Sequence, residues 1–216
     1  MYDIVFISNN EANAELHWEK LRSRYPLAKR VTNVVGIHNA HIKAANLVLT
    51  KMFWVVDGDA EILDSFNFNY KVPEYDQDVV HIFHSKNPVN DLEYGYGAVK
   101  LLPRDLTRTL DPHSLDMTLS ISSKIKVINE VSNITRFNTD SFSAWRSAFR
   151  ESVKLSLKLD RESASRLYTW MSEGQDRPFG KECIDGAVSG NKFILENRDK
   201  FYLINDFEWL LKQYKQ

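Results

Sequence analysis

Sulfur chemistry is nearly missing from this chain. One cysteine, Cys183, stands among 216 residues, which excludes an internal disulfide and suits a reducing cytosol. Long hydrophobic runs are missing too: none approaches the roughly 20 apolar residues that a membrane span needs. No basic stretch precedes the first apolar run, because Met1-Tyr2-Asp3-Ile4-Val5-Phe6 enters a strand at once. The sequence therefore predicts no signal peptide, no membrane association and a cytoplasmic location. Neither sign of charge dominates: 28 Lys and Arg stand against 29 Asp and Glu, a formal net charge of -1. No global basic field draws the chain to nucleic acid, which argues against tight non-specific DNA binding and does not exclude an enzyme that acts on DNA locally. Repeats, low-complexity tracts and linkers are also lacking. The length fits one domain of the larger kind, residues 1–216, with ample core.

What the chain does have is Met52-Phe53-Trp54-Val55-Val56-Asp57-Gly58-Asp59-Ala60-Glu61-Ile62. An unbroken apolar run reads as a strand buried on both faces. Asp57 and Asp59 then emerge at its carboxyl end, where open α/β sheets place their ligands. Residues two apart in a strand point the same way, and Gly58 lets the backbone bend or approach a ligand closely. Two carboxylates so placed repel unless a cation joins them, and a hard divalent ion such as Mg2+ or Mn2+, with oxygen ligands and substrate phosphates, suits them. The plainer reading is an Asp-Gly turn.

The flanking pattern is β-α-β-α-β. Asp3 to Ile7 is a strand, and Asn10 is a candidate cap for a helix from about Glu11 to Arg24. Arg30 to Val35 is a strand, His38 to Leu49 a helix with Ala40, Ala44, Ala45 and Leu47 to pack it, and the central strand follows. This order predicts a mixed, mostly parallel sheet with right-handed crossovers and flanking helices, an α/β fold of the Rossmann-like kind. Further on, residues 64–78 form a polar and aromatic link. Val79 to His84 and Tyr94 to Leu102 are strands, and Lys124 to Val131 another. Helices are predicted over 139–158, 162–171, 182–188 and 206–213.

The phrases Tyr2-Asp3-Ile4-Val5-Phe6-Ile7-Ser8, Gly36-Ile37-His38-Asn39-Ala40-His41, Met52 to Asp59 and Tyr94-Gly95-Tyr96-Gly97 resemble the nucleotide-sugar half of GT-A glycosyltransferases, and more closely a group of short phage-encoded glycosyltransferase-like chains. The likeness covers about the first two-thirds of the chain and reaches Asn138 to Arg146. Asn9 stands where an aromatic residue often sits, and His41 where Arg or Lys is usual. The resemblance implies a divalent-metal-dependent transferase that moves a sugar from a nucleotide-sugar donor, a UDP-sugar, to an acceptor hydroxyl. Residues 1–95 would be the nucleotide-sugar half and 96–216 the acceptor half. It implies that Asp57 and Asp59 hold Mn2+ or Mg2+, that Ser8, Asn10, Glu11, His41 and Asp57 line the nucleotide site, and that Gly97, Lys100 and Arg146 border the acceptor. Asp140 would accept the acceptor's proton as general base.

Each of these has a structural alternative. Asp140 is a good N-cap, Lys100 a solvated strand end, and Arg146 with Arg150 one solvated helical face. Trp145 and Phe149 read as core, and Cys183 as a small buried residue. His38 and His41 have a zinc-like spacing but no Cys or acid at a matching interval. His81 and His84 read as strand-surface residues, and Asn133-Ile134-Thr135 is a glycosylation pattern idle in a cytosol. The phage likeness makes a hydroxymethylated pyrimidine in DNA one acceptor, with a surface glycan or protein hydroxyl as the rival. Residues 96–181 carry a mild basic excess that permits a DNA-facing half. A nucleotidyltransferase is the reading of another class. It usually opens with a Gly-rich, Lys- or Arg-bearing loop, which Ser8 to Glu11 lacks, and so ranks lower. A non-catalytic nucleotide-sugar-binding protein is the third. Oligomeric state is left open.

Overall fold

The computed structural model describes residues 1–114 and 116–215. By contact density the chain divides into two units. One comprises residues 1–86 and 93–136, the other 87–92 and 137–216.

The first unit is built on a mixed sheet of the Rossmann-like kind, flanked by helices. Its parallel part is β1 (Asp3–Ser8), β2 (Lys29–Thr32) and β3 (Met52–Asp57), lying side by side in the order β2-β1-β3. Two helices make the crossovers, α1 (Ala14–Arg24) and α2 (Ile37–Leu47). This is the β-α-β-α-β order read from the sequence, with shifted ends. Asn13, not Asn10, precedes α1. Asn10 instead adopts a left-handed φ of 66°, which Asn tolerates better than most residues. The strand over 30–35 stops early because Asn33 also turns left-handed, at φ 56°.

The sheet then departs from the parallel expectation. It continues through β4 (Ala60–Ile62), β5 (Val80–Lys86), β6 (Glu93–Tyr94), β7 (Val99–Pro103) and β8 (Ile125–Thr135). The full order is β2-β1-β3-β7-β5-β8-β4, with β6 paired to β5. The β3/β7, β5/β7, β4/β8 and β5/β6 pairs are antiparallel, and β5/β8 is parallel. Strand β4 follows β3 after only two residues, too short a signal to separate from a turn. Two short helices, α3 (Arg104–Arg108) and α4 (Met117–Ile121), were not predicted either.

Strand alternation sorts the core into two faces. Ile4, Phe6, Trp54, Val56, Val99 and Leu101 face one way and pack with Leu21 of α1. Val5, Val55, Phe53 and Leu102 face the other, against Ala40, Ala44 and Ala45 of α2. Trp54 is fully buried and meets Phe66, Phe68 and Phe83 at ring-centroid distances of 5.9, 5.1 and 4.9 Å. Phe66 and Phe68 come from the link over 64–78, so that stretch lends its aromatics to the core. Burial of such a side chain contributes on the order of 1.5–3 kcal/mol.

The second unit is helical: α5 (Ser141–Ser156), α6 (Arg161–Ser172), α7 (Gly180–Glu196) and α8 (Phe207–Tyr214). Asp140, Asp160 and Asp206 cap α5, α6 and α8 by accepting an amide three residues on. The helix predicted over 182–188 runs on to Glu196. Gly186 and Gly190 are packing residues: a Cβ on Gly186 or Gly190 would lie 2.2 or 2.4 Å from the backbone oxygen of Trp145 or Phe149. Glycine lets α7 lie against α5 at that range. Trp145 and Phe149 are buried, with Ile194 and Leu210.

Candidate functional site

The carboxyl ends of β1 and β3 gather the chemistry of the first unit. Ile7 and Asp57 are register partners across β1 and β3, and Val55 pairs with Lys100 across β3 and β7. Val55, Asp57 and Lys100 thus share the face covered by α2. The Lys100 ammonium is buried, with only 3% of the side chain exposed. It donates to Asp57 Oδ2 at 2.9 Å and Oδ1 at 3.1 Å, and also to the Gly97 carbonyl. A strand-end lysine was expected to be solvated. Here the pleat turns it inward, and Asp57 at the diagonal position accepts its charge.

Asp59 lies one turn on, its amide region fixed by a hydrogen bond from the Arg136 amide to its own carbonyl at 2.7 Å. Burial pushes the Asp59 carboxyl up to about 7, and the charges of Asp57 and Glu11 push the same way, with Lys100 opposing. Burial also raises Asp57, against the attraction of Lys100. The Glu11 carboxylate turns back to accept the Asn9 amide at 2.6 Å. Between these acids sits Gly58. A Cβ there would fall 2.5 Å from Glu11 Oε2 and 2.9 Å from Ser8 Cβ. The glycine of the motif is thus required by the β1 loop pressed against it. The Gly58 carbonyl accepts a hydrogen bond from buried His17 Nδ1 at 2.9 Å, which ties the motif to α1.

The remaining expected residues are placed as follows. Ser8 is buried, and its Oγ accepts from Arg30 Nη2 at 3.2 Å. Asn10 is exposed. His41 is buried on α2, where its Nδ1 donates to the Ile37 carbonyl at 2.8 Å and its Nε2 has no hydrogen-bond partner. Burial, and then the Lys100 charge, depress its pKa to about 3, so the ring is neutral. Asp140 and Arg146 belong to the second unit. Asp140 Oδ1 accepts the Ser143 amide at 2.8 Å and Oδ2 the Ser143 hydroxyl at 2.7 Å. Both oxygens are used in capping α5. The Arg146 guanidinium lies 4.4 Å from the Phe207 ring centroid. His81, expected on a strand surface, is fully buried, and Cys183 is buried with its thiol pushed up to about 12, chiefly by burial.

Two residues of the site were not singled out in the sequence. Arg30 bonds Glu15 through Nη1 at 2.8 Å and lies 5.6 and 5.7 Å from the ring centroids of Phe6 and Trp18, so a guanidinium stands beside the end of β1. His17 holds Gly58. Arg30 comes from β2 and His17 from α1, so only the fold brings either to the end of β1 or to Gly58. A cavity of about 330 Å3 lies beside His17, lined also by Lys20, Arg24, Glu61 and Ile134 among others.

Among the described residues no three His, Cys, Asp or Glu side chains are arranged to hold an ion. Asp57 is engaged by Lys100 and Glu11 by a backbone amide.

No protein-family model matches this chain, and no curated protein matches it. Among solved structures it is similar to the bifunctional IspDF from Campylobacter jejuni, at 11% identity and a TM-score of 0.42, over 64% of this chain and 53% of that one. It is also similar to HddC from Yersinia pseudotuberculosis, at 14% identity and a TM-score of 0.38, over 61% of this chain and 92% of that one. The match thus spans about half the length of IspDF. Neither is named as a glycosyltransferase, and neither comes from a phage. The assignment to GT-A glycosyltransferases and the phage connection are therefore corrected, and the UDP-sugar donor and modified-DNA acceptor find no support in these likenesses. The physical reason is that an apolar strand ending in Asp-x-Asp specifies an acid pair at a sheet's ligand edge and nothing about the group transferred there.

Proposed function

We propose that the carboxyl edge of β1 and β3 binds a nucleoside triphosphate, and that the protein is a nucleotidyltransferase. The observation that carries this reading is the imbalance of charge at that edge: Glu11, Asp57 and Asp59 crowd together with Lys100 as the one ammonium among them, and the Asp59 carboxyl is pushed up to about 7 by burial and by its acidic neighbours. Such a cluster favours added positive charge. Carboxylate oxygens suit a hard divalent cation, and Asp57 and Asp59 are the residues to hold one. When bound, that cation would neutralise the phosphates as charge develops on them.

The chain supplies the rest. Gly58 and His17 fix the separation of the acids. Arg30 places a guanidinium at the end of β1, where a triphosphate is drawn. The Lys- or Arg-bearing loop missing between Ser8 and Glu11 is replaced by Arg30, reaching Ser8 from the neighbouring strand. In the transfer, an oxygen of the acceptor forms a bond to the α-phosphorus. The bond from that phosphorus to the bridging oxygen breaks, and pyrophosphate departs with the electron pair. The acceptor's proton passes to water.

The test is a panel of the four nucleoside triphosphates with Mn2+, scored for thermal stabilisation and for pyrophosphate release with sugar phosphates and alcohols as acceptors. One triphosphate is expected to stabilise the protein and to be consumed, and Asp59→Asn to lower the rate about 100-fold or more, the scale for removing one charge-stabilising group. No stabilisation by any of the four would end the reading.

A further inference from the structure

Burying an ammonium is costly, and Lys100 is buried among partners that use it fully. Its three N–H donors go to the two oxygens of Asp57 and to the Gly97 carbonyl. Asp57 is thereby taken, at a site whose other acids, Asp59 and Glu11, form no ion pair among the described residues. On the same face of the sheet, α2 carries His41, 1% exposed. Its Nδ1–H is spent on the Ile37 carbonyl. That leaves Nε2 as a bare lone pair, buried and without a donor. An unmet acceptor in such a place costs on the order of 1–3 kcal/mol. Lys100 projects from β7 onto the sheet face that α2 covers, the helix on which His41 is buried.

We propose that Lys100 is a resident counter-cation with two stations: it holds Asp57 in the ligand-free protein, gives that carboxylate up to a divalent cation, and then donates to His41 Nε2. The proposal rests on the cation-binding reading above. It explains why a lysine is buried against the acid pair, why no metal set is preformed, and why a neutral histidine is kept with one nitrogen unpartnered. Lys100 and the cation compete for the same oxygens, so removal of the lysine charge strengthens cation binding. His41 lowers the cost of moving the ammonium, so its loss weakens cation binding only while Lys100 is present.

The experiment is titration of the full chain with Mn2+ alone, with free Mn2+ read by electron paramagnetic resonance, for wild type, Lys100→Met, His41→Phe and the double variant. Lys100→Met is expected to bind Mn2+ at least tenfold more tightly than wild type. His41→Phe is expected to bind it several-fold more weakly, and the double variant to match Lys100→Met. Equal or weaker binding by Lys100→Met overturns the two-station lysine and leaves the nucleotide reading standing. If neither wild type nor any variant binds Mn2+ while a nucleoside triphosphate still stabilises the protein, the cation reading falls and this proposal with it. Should Lys100→Met fail to fold, Lys100→Gln takes its place with the same expectation. Should that fail too, His41→Phe against wild type decides, and unchanged Mn2+ binding there overturns the proposal.

Discussion

The two ends of the parallel strands use the same residue type in opposite ways. At the amino end, Asp3 accepts the Leu49 and Thr50 amides at 2.8 and 3.0 Å, the Thr50 hydroxyl at 3.1 Å and the Lys29 ammonium at 3.1 Å. Burial alone would raise its pKa, but these donors override it and bring it to about 2. At the carboxyl end, Asp57 and Asp59 are raised by the same burial, and Asp59 reaches about 7 because its neighbours are acids instead of donors. One carboxylate is satisfied and structural. Asp57 is held by Lys100, and Asp59 is left buried beside acids with no ion pair among the described residues. Desolvation is common to both ends, so the number and sign of the groups within reach decide which end is built to bind.

The contrast can be tested by substitution. The largest effect expected is from Asp3→Ala, which leaves two amides and Lys29 without their acceptor. A loss of about 2–3 kcal/mol in urea unfolding at pH 7, with Mn2+ and nucleotide binding unchanged for the folded fraction, would mark the amino end as purely structural. Gly58→Ala comes next. Its methyl must displace Glu11 and Ser8, so a loss of about 1–2 kcal/mol is expected together with weakened nucleotide binding, read by calorimetry. A stability loss without a binding loss would detach Gly58 from the site. Asp140→Ala in the helical unit removes an N-cap and should cost about 1 kcal/mol in thermal unfolding, with transfer activity unaltered. A collapse of activity would restore Asp140 to the chemistry.

The last test is a slope in pH. A carboxyl raised in the folded state binds its proton more tightly there than when unfolded, so Asp59 makes the ligand-free protein lose stability as pH rises from about 4 to about 7. Asp3 has the reverse sign: its contribution is present above about 4 and lost as pH falls through about 2. Urea midpoints of wild type and Asp59→Asn between pH 5 and 8 should therefore diverge, with the variant the more stable at the alkaline end. Parallel curves would mean that Asp59 is better solvated than its surroundings suggest.

How far the site was legible follows from these residues. Asp57 and Asp59 stood out because an apolar strand and its terminus are contiguous in sequence. Gly58 could be seen as a turn residue, but its contact with Glu11 spans 47 positions and leaves no local trace. Lys100 read as a solvated strand end because periodicity predicts a face, not which face is buried at an antiparallel neighbour. Arg30 gave no signal, since its partners Trp18, Glu15 and Ser8 converge only when α1 folds back over β1. Asp140 is legible as a cap candidate for a local reason, an aspartate at the start of a predicted helix, and it caps α5.

The sequence by itself determined the β2-β1-β3 crossover unit, its Rossmann-like class and the pair of acids at the ligand edge, because hydrophobic period and strand-terminal residues act over short distances along the chain. Tertiary structure alone decided that Lys100 neutralises Asp57, that Arg30 stands beside the end of β1 and that the sheet beyond β3 mixes antiparallel pairs with one parallel pair. Those outcomes depend on which distant strands become neighbours, and the electrostatics of a buried charge depends on every group that the fold brings within a few ångströms.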